Sequence, residues 1–274
     1  MLKPIDSITK TAQSISINNL KTRIDVKGPD DELSRLARTF NDMIDRLQDS
    51  FEGQIQFVSD ASHELRTPIA VIQGYADLLD RWGKDDRKVL DESVTAIKNE
   101  AANMGSLVEK LLFLARGDSG TQRLEKENFQ LDELIDEVVR ESRLIADSLK
   151  IVCTKNDSVS IYADRKMIKQ MLRTFIDNSI KFTSKQGEIR IDSVNQGGAV
   201  KITVEDTGKG IPKEDIPKIF NRFYSVDKTR TKGKAGSGLG LSIAKWIADA
   251  HRGHISVYSS AGKGTKVEIV IPVK

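Results

Sequence analysis

The chain has 274 residues, which at about 150 residues per domain leaves room for roughly two globular domains and an appendage. Its 43 Lys and Arg residues balance 40 Asp and Glu residues, which argues against a dedicated nucleic-acid binder, and 38% hydrophobic residues argue against wholesale disorder. A single cysteine, Cys153, excludes an intrachain disulfide and favours a reducing compartment. The sequence shows no signal peptide and no run of about 18 apolar residues.

The first 50 residues predict two helices joined by an extended connector. The first helix is expected over residues 5–17, and the connector over residues 18–32 contains a Gly-Pro-Asp-Asp turn sequence. The second helix begins near residues 31–32, with acidic residues in its first turn. Its apolar residues recur in steps of three and four, as in a coiled-coil seam: Leu33, Leu36, Phe40, Met43 and Leu47.

The seam then changes phase. Three successive steps of four lead from Met43 to Ile55 through Leu47 and Phe51, before alternating steps resume and continue to Leu79. Because extra four-residue steps locally unwind a supercoil, we place a junction between two coiled units near residues 44–55. The alternative is that Phe51 is simply exposed. The long helix is expected to end near residue 81.

A further amphipathic helix follows the loop at residues 82–85 and stops at Gly117. Its apolar stripe comprises Val89, Val94, Ile97, Ala101, Met104, Val108, Leu111 and Ala115. Two antiparallel amphipathic helices cannot bury their stripes alone, so we expect a helical hairpin that forms a dimeric four-helix bundle.

The remainder predicts a mixed α/β layer domain of about 150 residues, after a polar loop at residues 118–130. Helices are expected over residues 131–149, 164–182 and 241–251. Strands are expected over residues 159–163, 188–194, 199–205, 255–259 and 266–271.

His63 lies one residue after the seam position Ser62 and should therefore face outward. Pro68 removes a helical hydrogen bond, at a cost of about 3 kcal/mol, and predicts a kink in the helix. The carboxylate of Glu64 can hold the imidazole in one tautomer, which leaves the other nitrogen as a nucleophile. The alternative is a surface histidine without a role.

Asn178 lies on the apolar face of its helix, three residues after Phe175 and four before Phe182. Its amide oxygen is a suitable ligand for Mg²⁺. The alternative is an amide whose hydrogen bonds are satisfied by the backbone. Asp206 ends a strand and is followed by Gly208 and Gly210. Such a carboxylate can accept from a ligand donor such as an adenine amino group, but the same residues also occur in ordinary turns.

Residues 220–224 form a short aromatic cluster, for which core packing is the simplest interpretation. The glycine-rich residues 236–240 then open the last helix. Glycine-rich backbone that leads into a helix N-terminus is suited to phosphates. The preceding loop is basic through Lys228, Arg230, Lys232 and Lys234, charges that a solvated flexible loop would also explain.

The string Ser62-His63-Glu64-Leu65-Arg66-Thr67-Pro68 resembles the phospho-acceptor motif of sensor histidine kinases. The four later features resemble, in order and spacing, the N, G1, F and G2 boxes of the histidine-kinase catalytic domain, a Bergerat-type ATP-binding fold. The chain has neither a P-loop nor an H-R-D catalytic loop, so the commoner kinase and NTPase designs are excluded.

The resemblance covers nearly the whole chain and implies a multidomain α and α/β protein. Residues 1–52 resemble a coiled-coil HAMP linker, residues 53–117 the dimerisation and histidine-phosphotransfer domain, and residues 124–274 the α/β-sandwich ATP-binding domain. The implied partners are a second copy of the chain and the receiver domain of a response regulator, and not nucleic acid.

The resemblance implies ATP-dependent phosphorylation of His63, with Glu64 accepting a proton, and transfer of the phosphoryl group to a response-regulator aspartate. Thr67 matches a threonine that supports phosphatase activity in the family. Asn178 would hold Mg²⁺, Asp206 would read adenine, and Lys181 would lie near the phosphates. The full set assigned to the nucleotide is Asn178, Lys181, Asp206, Gly208, Gly210, Phe223, Gly236, Gly238, Gly240 and Leu241.

The same resemblance implies a sensor upstream of this segment. The full-length protein would signal across a bacterial cell membrane, touching it only through those upstream segments. This portion would be soluble and lie on the cytoplasmic side.

Two positions depart from the family pattern. Thr174 stands where the N box often begins with asparagine, and Ser225 stands where arginine often follows the aromatic box. Arg222, Lys228 or Arg230 are the candidates to supply that charge. Two other functions stay open: a Bergerat-type ATPase or serine kinase with merely dimerising helices, and a degenerate scaffold that relays helix motion. The first leaves residues 62–68 unexplained, and the retained site residues argue against the second.

Overall fold

The computed structural model describes residues 9, 19–25, 31–83, 86–226 and 236–273. By its internal contacts the chain divides into two compact units, Met1–Ala70 and Val71–Lys274. The first predicted helix, apart from residue 9, and the Gly-Pro turn lie outside the described residues.

The first described helix, α1, spans Glu32–Trp82 without interruption. Asp31 caps it, because its Oδ1 accepts from the Ser34 N–H at 3.0 Å. The backbone is continuously helical through residues 44–55, so the junction between coiled units expected there lies within one helix and stays a prediction. Pro68 also lies inside α1 and is buried. A change of hydrophobic phase alters which face a partner can cover, and it does not by itself end a helix.

The connector lies against one face of α1. The Ile24 N–H donates to Asn41 Oδ1 and the Ile24 carbonyl accepts from Asn41 Nδ2, both at 2.9 Å, and Ile24 is buried. The face of α1 that is buried within the single chain carries Ser34, Ala37 and Ile44. The predicted seam, in contrast, is largely exposed, with 56% exposure at Leu36, 47% at Met43 and 51% at Leu47.

Helix α2 spans Arg87–Asp118. The Asp86 side chain caps it by accepting from the N–H groups of Lys88 and Val89. Leu107 and Leu114 are its buried apolar residues. The helix ends one residue beyond the predicted stop at Gly117.

The rest of the chain folds as the predicted mixed α/β domain. Its helices are α3 Leu131–Ile145, α4 Arg165–Phe182 and α5 Gly240–Ala250. Its strands are β1 Glu127–Gln130, β2 Lys150–Val152, β3 Ser160–Ala163, β4 Glu188–Asn195, β5 Ala199–Asp206, β6 His254–Ser260 and β7 Gly264–Pro272. Three predictions are corrected: the loop at 118–130 ends in a strand, α3 stops before residue 149, and β2 was not expected.

Five strands form the main sheet in the order β2-β4-β5-β7-β6, and β1 pairs with β3 in a separate antiparallel ribbon. Among the described strands of the main sheet, β2 pairs with β4 in parallel and the other neighbouring pairs are antiparallel. Along β5 every second residue is buried, so the strand that buries Val204 also turns Asp206 inward. The core of α4 is completely buried at Ile168, Leu172 and Ile176. The last strand residue therefore places a carboxylate inside the domain.

None of the helices in the described ranges is both long and apolar enough to cross a membrane.

Candidate active site

A cavity of about 510 Å³ opens between α4, the start of α5 and the inward face of β5 and β7. Most of the residues assigned to the nucleotide from the sequence line it: Asn178, Lys181, Asp206, Gly210, Gly236, Gly238, Gly240 and Leu241. Gly208 and Phe223 are not among the lining residues, and both contribute through the backbone instead.

Asp206 is 9% exposed and is held in place by three hydrogen bonds. Its Oδ2 accepts from Ser179 Oγ at 2.8 Å, and its Oδ1 accepts from the N–H groups of Gly208 at 2.9 Å and Thr265 at 3.2 Å. An ionised carboxylate has about four acceptor positions, so it retains capacity for one ligand donor. Its geometry fits a fixed acceptor for an amino group.

Asn178 lies one residue before Ser179 on α4 and is half-buried in the cavity wall. Within the part of the chain that the structure describes, its carboxamide makes no hydrogen bond, so the interpretation that the backbone satisfies it is wrong. The half-buried carboxamide lines the cavity and is therefore accessible to a ligand. In the described residues no cluster of three or more His, Cys, Asp or Glu side chains offers an alternative metal site.

Two glycines of the site have backbone that only glycine adopts readily. Gly210 has φ +67°, and a Cβ there would overlap the Ser260 carbonyl oxygen. Gly238 has φ +70°, and a Cβ would lie 2.6 Å from the Phe223 carbonyl carbon. Both glycines therefore let backbone approach backbone at the cavity edge.

The aromatic segment is tied to the glycine loop rather than only packed in the core. The Phe223 N–H donates to the Gly238 carbonyl at 3.1 Å. Tyr224, which lines the cavity, donates from its hydroxyl to Asp215 Oδ1 at 2.5 Å, and this bond raises the pKa of the phenol. The segment thus sets the position of the loop that precedes α5.

Positive charge surrounds the end of α4. The ammonium groups of Lys181 and Lys209 lie 4.9 Å and 4.5 Å from the ring centroid of Phe182. Arg173 pairs with Asp177 at 3.1 Å, but burial dominates at that carboxyl and raises its pKa. The cavity therefore favours an anionic ligand.

The two departures from the family pattern have different surroundings. Thr174 lines the cavity, and its hydroxyl donates to the Gln170 carbonyl at 2.9 Å. Ser225 also lines the cavity, whereas Arg222 pairs with Asp118 at 2.5 Å and is not among the lining residues. Arg222 is thus engaged at the end of α2, and the other two candidates, Lys228 and Arg230, lie outside the described residues.

Several site residues were not predicted. Ser179 and Thr265 hold Asp206, and the register pairs Asp206 with Thr265 across β5 and β7. Ser179 could have been predicted, because it is a polar residue next to Asn178 on the apolar face of the helix. Thr265 could not, because its position beside Asp206 depends on the register of the strands. Lys110, from α2, also lines the cavity, and no pattern in the sequence indicated it.

His63 belongs to the other compact unit. The imidazole is exposed on α1, as the seam position predicts, and Thr67 one turn later is exposed too. Glu64 is half-buried. The arrangement presents the imidazole to solvent, with a carboxylate on the next residue of the same helix.

Three family models match consecutive parts of the chain. The HAMP domain matches residues 1–49, the His Kinase A phospho-acceptor domain residues 54–120, and the histidine kinase-, DNA gyrase B- and HSP90-like ATPase residues 163–274. These models correspond to the linker, acceptor and ATP-binding modules that the sequence resemblance implies.

Known proteins support the same combination. The sensor histidine kinase YkoH of Bacillus subtilis is 37% identical over 275 residues, covering 97% of this chain and 58% of YkoH. The structure of the Acinetobacter baumannii histidine kinase AdeS matches with TM-score 0.62 and 28% identity, over 77% of this chain and 98% of that chain. A structure of histidine kinase ThkA in complex with response regulator TrrA matches with TM-score 0.63 and 27% identity, over 89% of this chain and 68% of that chain.

The chain therefore belongs to the sensor histidine kinases of two-component systems. It spans somewhat more than half the length of YkoH.

Proposed function

We propose that the chain phosphorylates its own His63 from ATP and passes the phosphoryl group to an aspartate of a response-regulator receiver domain. The observation that carries the proposal is the cavity itself, which is lined by both the buried Asp206 and the carboxamide of Asn178. The family models for an acceptor histidine and an ATPase support it.

The residues present fit ATP with Mg²⁺. Asp206 would accept from the adenine amino group, and the start of α5 with its glycines would receive phosphate oxygens. Asn178 would hold Mg²⁺ through its amide oxygen, and the ion would neutralise phosphate charge when bound. Lys181 would stay near the phosphates, although its ammonium group lies 4.9 Å from the Phe182 ring in this structure.

In the transfer step an imidazole nitrogen of His63 bonds to the γ-phosphorus while the bond from that phosphorus to the bridging oxygen breaks. ADP leaves with the electron pair, and Glu64 accepts the proton that the imidazole loses. Transfer from the phosphohistidine to an aspartate oxygen then regenerates the free histidine. Because such transfer depends on positioning and charge neutralisation, the fixed carboxylate and glycine backbone are the contributions of the α/β domain.

The complex of ThkA with response regulator TrrA supports a receiver domain as the partner. We further propose that Thr67, exposed one turn after His63, serves a phosphatase reaction on that partner. The longer protein would be a membrane sensor acting as a homodimer through α1 and α2. We place the domain limits at residues 1–52, 53–117 and 124–274, and the pairing of β1 with β3 supports the start of the last.

The test is incubation of the full chain with γ-labelled ATP and Mg²⁺. We expect acid-labile, base-stable label in the parent and in the control variant His254→Gln, whose histidine is exposed and outside both sites. His63→Gln should carry none. Label that persists in His63→Gln contradicts the acceptor assignment, and ATP binding without any label in the parent favours the scaffold.

The metal assignment has its own test. Asn178→Ala should weaken ATP binding in Mg²⁺ but leave binding in EDTA nearly unchanged, as measured by calorimetric titration. Equal affinities of parent and variant in Mg²⁺ would remove Asn178 from the metal site.

A further inference from the structure

We propose that Lys110 on α2 binds the phosphates of the nucleotide, so that the acceptor hairpin completes the nucleotide site of the α/β domain. The inference rests on the proposed ATP site and adds a residue from another module. Lys110 lines the cavity and is half-buried. It has no hydrogen-bond or ion-pair partner within the described residues.

The face of α2 that carries Lys110 is held against α5. Phe113 and Gly117 follow Lys110 by three and seven residues, which places all three on one side of the helix. The Phe113 ring meets the Trp246 ring edge to face, with centroids 5.0 Å apart at 83°. A Cβ on Gly117 would lie 2.5 Å from Trp246 Nε1, so only glycine fits there without a shift.

An ion pair fixes the same contact at the end of α2. Arg222 and Asp118 are 2.5 Å apart, with 29% and 40% of their side chains exposed. Arg222 is two residues before Tyr224, which lines the cavity. The docked helix is therefore joined to both the α5 side and the aromatic segment of the site.

The cavity has two chemically different ends along α4. At one end Ser179 binds the carboxylate of Asp206. At the other, the Thr174 methyl lies 3.2 Å from the position of a Cβ on Gly240, the first residue of α5. Thr174 and Ser179 are five residues apart, a separation of about 7.5 Å along the helix. Lys110 lines the same cavity, and α2 packs on α5, the helix that begins at this second end, so we assign Lys110 to that end.

That second end is suited to phosphate. The N-terminus of α5 has no side-chain cap, so its first N–H groups are open to an anion. Lys110 adds a full positive charge that no carboxylate of the described residues neutralises, whereas nearby Arg173 is paired with Asp177. A half-buried ammonium ion without a counterion gains most from a phosphate.

The coupling works in both directions. A nucleotide that binds Lys110 stabilises the docked position of α2, and docking raises the affinity for the nucleotide by the same factor. Adenosine lacks phosphates and cannot bind Lys110 in this way. Its affinity should therefore not depend, through this lysine, on whether the helix is docked.

The experiment is calorimetric titration of the full chain with ATP, ADP and adenosine in Mg²⁺, for the parent, Lys110→Gln, Lys110→Arg and Lys98→Gln. Lys98 is the matched control, because it is exposed on the same helix and does not line the cavity. We expect Lys110→Gln to weaken ATP and ADP binding by about tenfold or more and to leave adenosine unchanged. Lys110→Arg should restore most of the affinity, and Lys98→Gln should match the parent.

Equal ATP affinity of Lys110→Gln and the parent would overturn the inference while leaving the proposed function intact. Equal weakening for adenosine and ATP would also overturn it, since Lys110 would then support the wall of the cavity rather than the phosphates. A parent that binds no ATP would reject both proposals.

Discussion

Apolar side chains are largely exposed along the seam of helix α1 but buried in the core of the α/β domain. Along the α1 seam, Met43 is 47% exposed and Ile55 and Val58 are each 56% exposed. On α4, Ile168 and Leu172 are 0% exposed. The α/β domain completes its core within one chain, whereas the exposed seam of α1 fits the proposed homodimer, in which a second chain would cover it. Substitutions in the α/β core and substitutions in the α1 seam should therefore have different effects.

The largest expected effect is loss of the α/β core. Leu172→Ala removes a fully buried side chain from α4 and should lower the free energy of unfolding by about 2–5 kcal/mol. Urea denaturation monitored on the α/β domain measures this loss. It should not depend on protein concentration, and a strong concentration dependence would show that this core too needs a second chain.

A charge in the seam should act on assembly instead. Ile55→Lys removes an apolar side chain from each chain of a symmetric dimer and should weaken association by about 3 kcal/mol or more. Sedimentation equilibrium measures the dissociation constant, with Gln54→Lys as the control at an exposed neighbouring residue. Equal association of the two variants would contradict the role of the seam in assembly. Unfolding of the α/β domain by Ile55→Lys would contradict the difference between the two regions.

A smaller effect is expected from pH, which should change the stability of the α/β domain through His251. His251 is 5% exposed, its Nε2 accepts from the Asp164 N–H at 3.0 Å, and its Nδ1 lies 2.8 Å from the Ile247 carbonyl. The ring must then be neutral, with its proton on Nδ1. Burial is the largest influence and lowers the pKa of this imidazole; the hydrogen bond to the Ile247 carbonyl opposes it, Lys126 lowers the pKa further and Asp164 raises it.

Because the unfolded histidine titrates near 6.5 and the folded one lower, the unfolded chain binds more protons below that pH. Stability should be fully present above about pH 6.5 and fall as the pH drops toward the folded pKa, by at most about 1.4 kcal/mol per pH unit. Thermal unfolding between pH 5 and 7.5 tests this. His251→Asn should flatten the profile and His254→Gln should not; identical profiles for His251→Asn and the parent would contradict the assignment.

The smallest effect is expected where α2 meets the α/β domain. The Asp118–Arg222 pair is partly exposed, so its coupling energy should be only about 0.2–1 kcal/mol. A double-mutant cycle with Asp118→Asn and Arg222→Gln, read by urea denaturation, measures it. A coupling above 2 kcal/mol would mean that the pair is a main support of docking rather than an addition to the Phe113–Trp246 contact.

The sequence predicted the parts of this molecule that have strong periodicity or unusual residues. The long helices and the β4 to β5 hairpin follow from their spacing, and Asn178 and Asp206 stood out as polar residues in apolar surroundings. Strand β2 has three residues, too few for a periodic signal. Helix α3 was predicted too long because apolar residues continue past its true end, where Leu144 and Ile145 are 83% and 63% exposed.

The cavity wall contributed by α2 could not be predicted for a different reason. Lys110 is one lysine among many on an exposed helix, and only the tertiary contact of Phe113 with Trp246 brings it to the site. The sequence also did not predict that the apolar seam of α1 and the face of α1 buried within the chain are two different faces. The sequence pattern shows one apolar stripe along the helix, but the connector covers a different face, where Ile24 bonds to Asn41.

The most direct test of the account is the position of the phosphate after the full chain has reacted with ATP and Mg²⁺ at neutral pH. Tandem mass spectrometry without acid treatment should find at most one phosphate per chain, on His63, and none after brief exposure to acid. Acid-stable phosphate on Ser62 or Thr67 would contradict the account, because it would identify a serine or threonine kinase in which the histidine has no part.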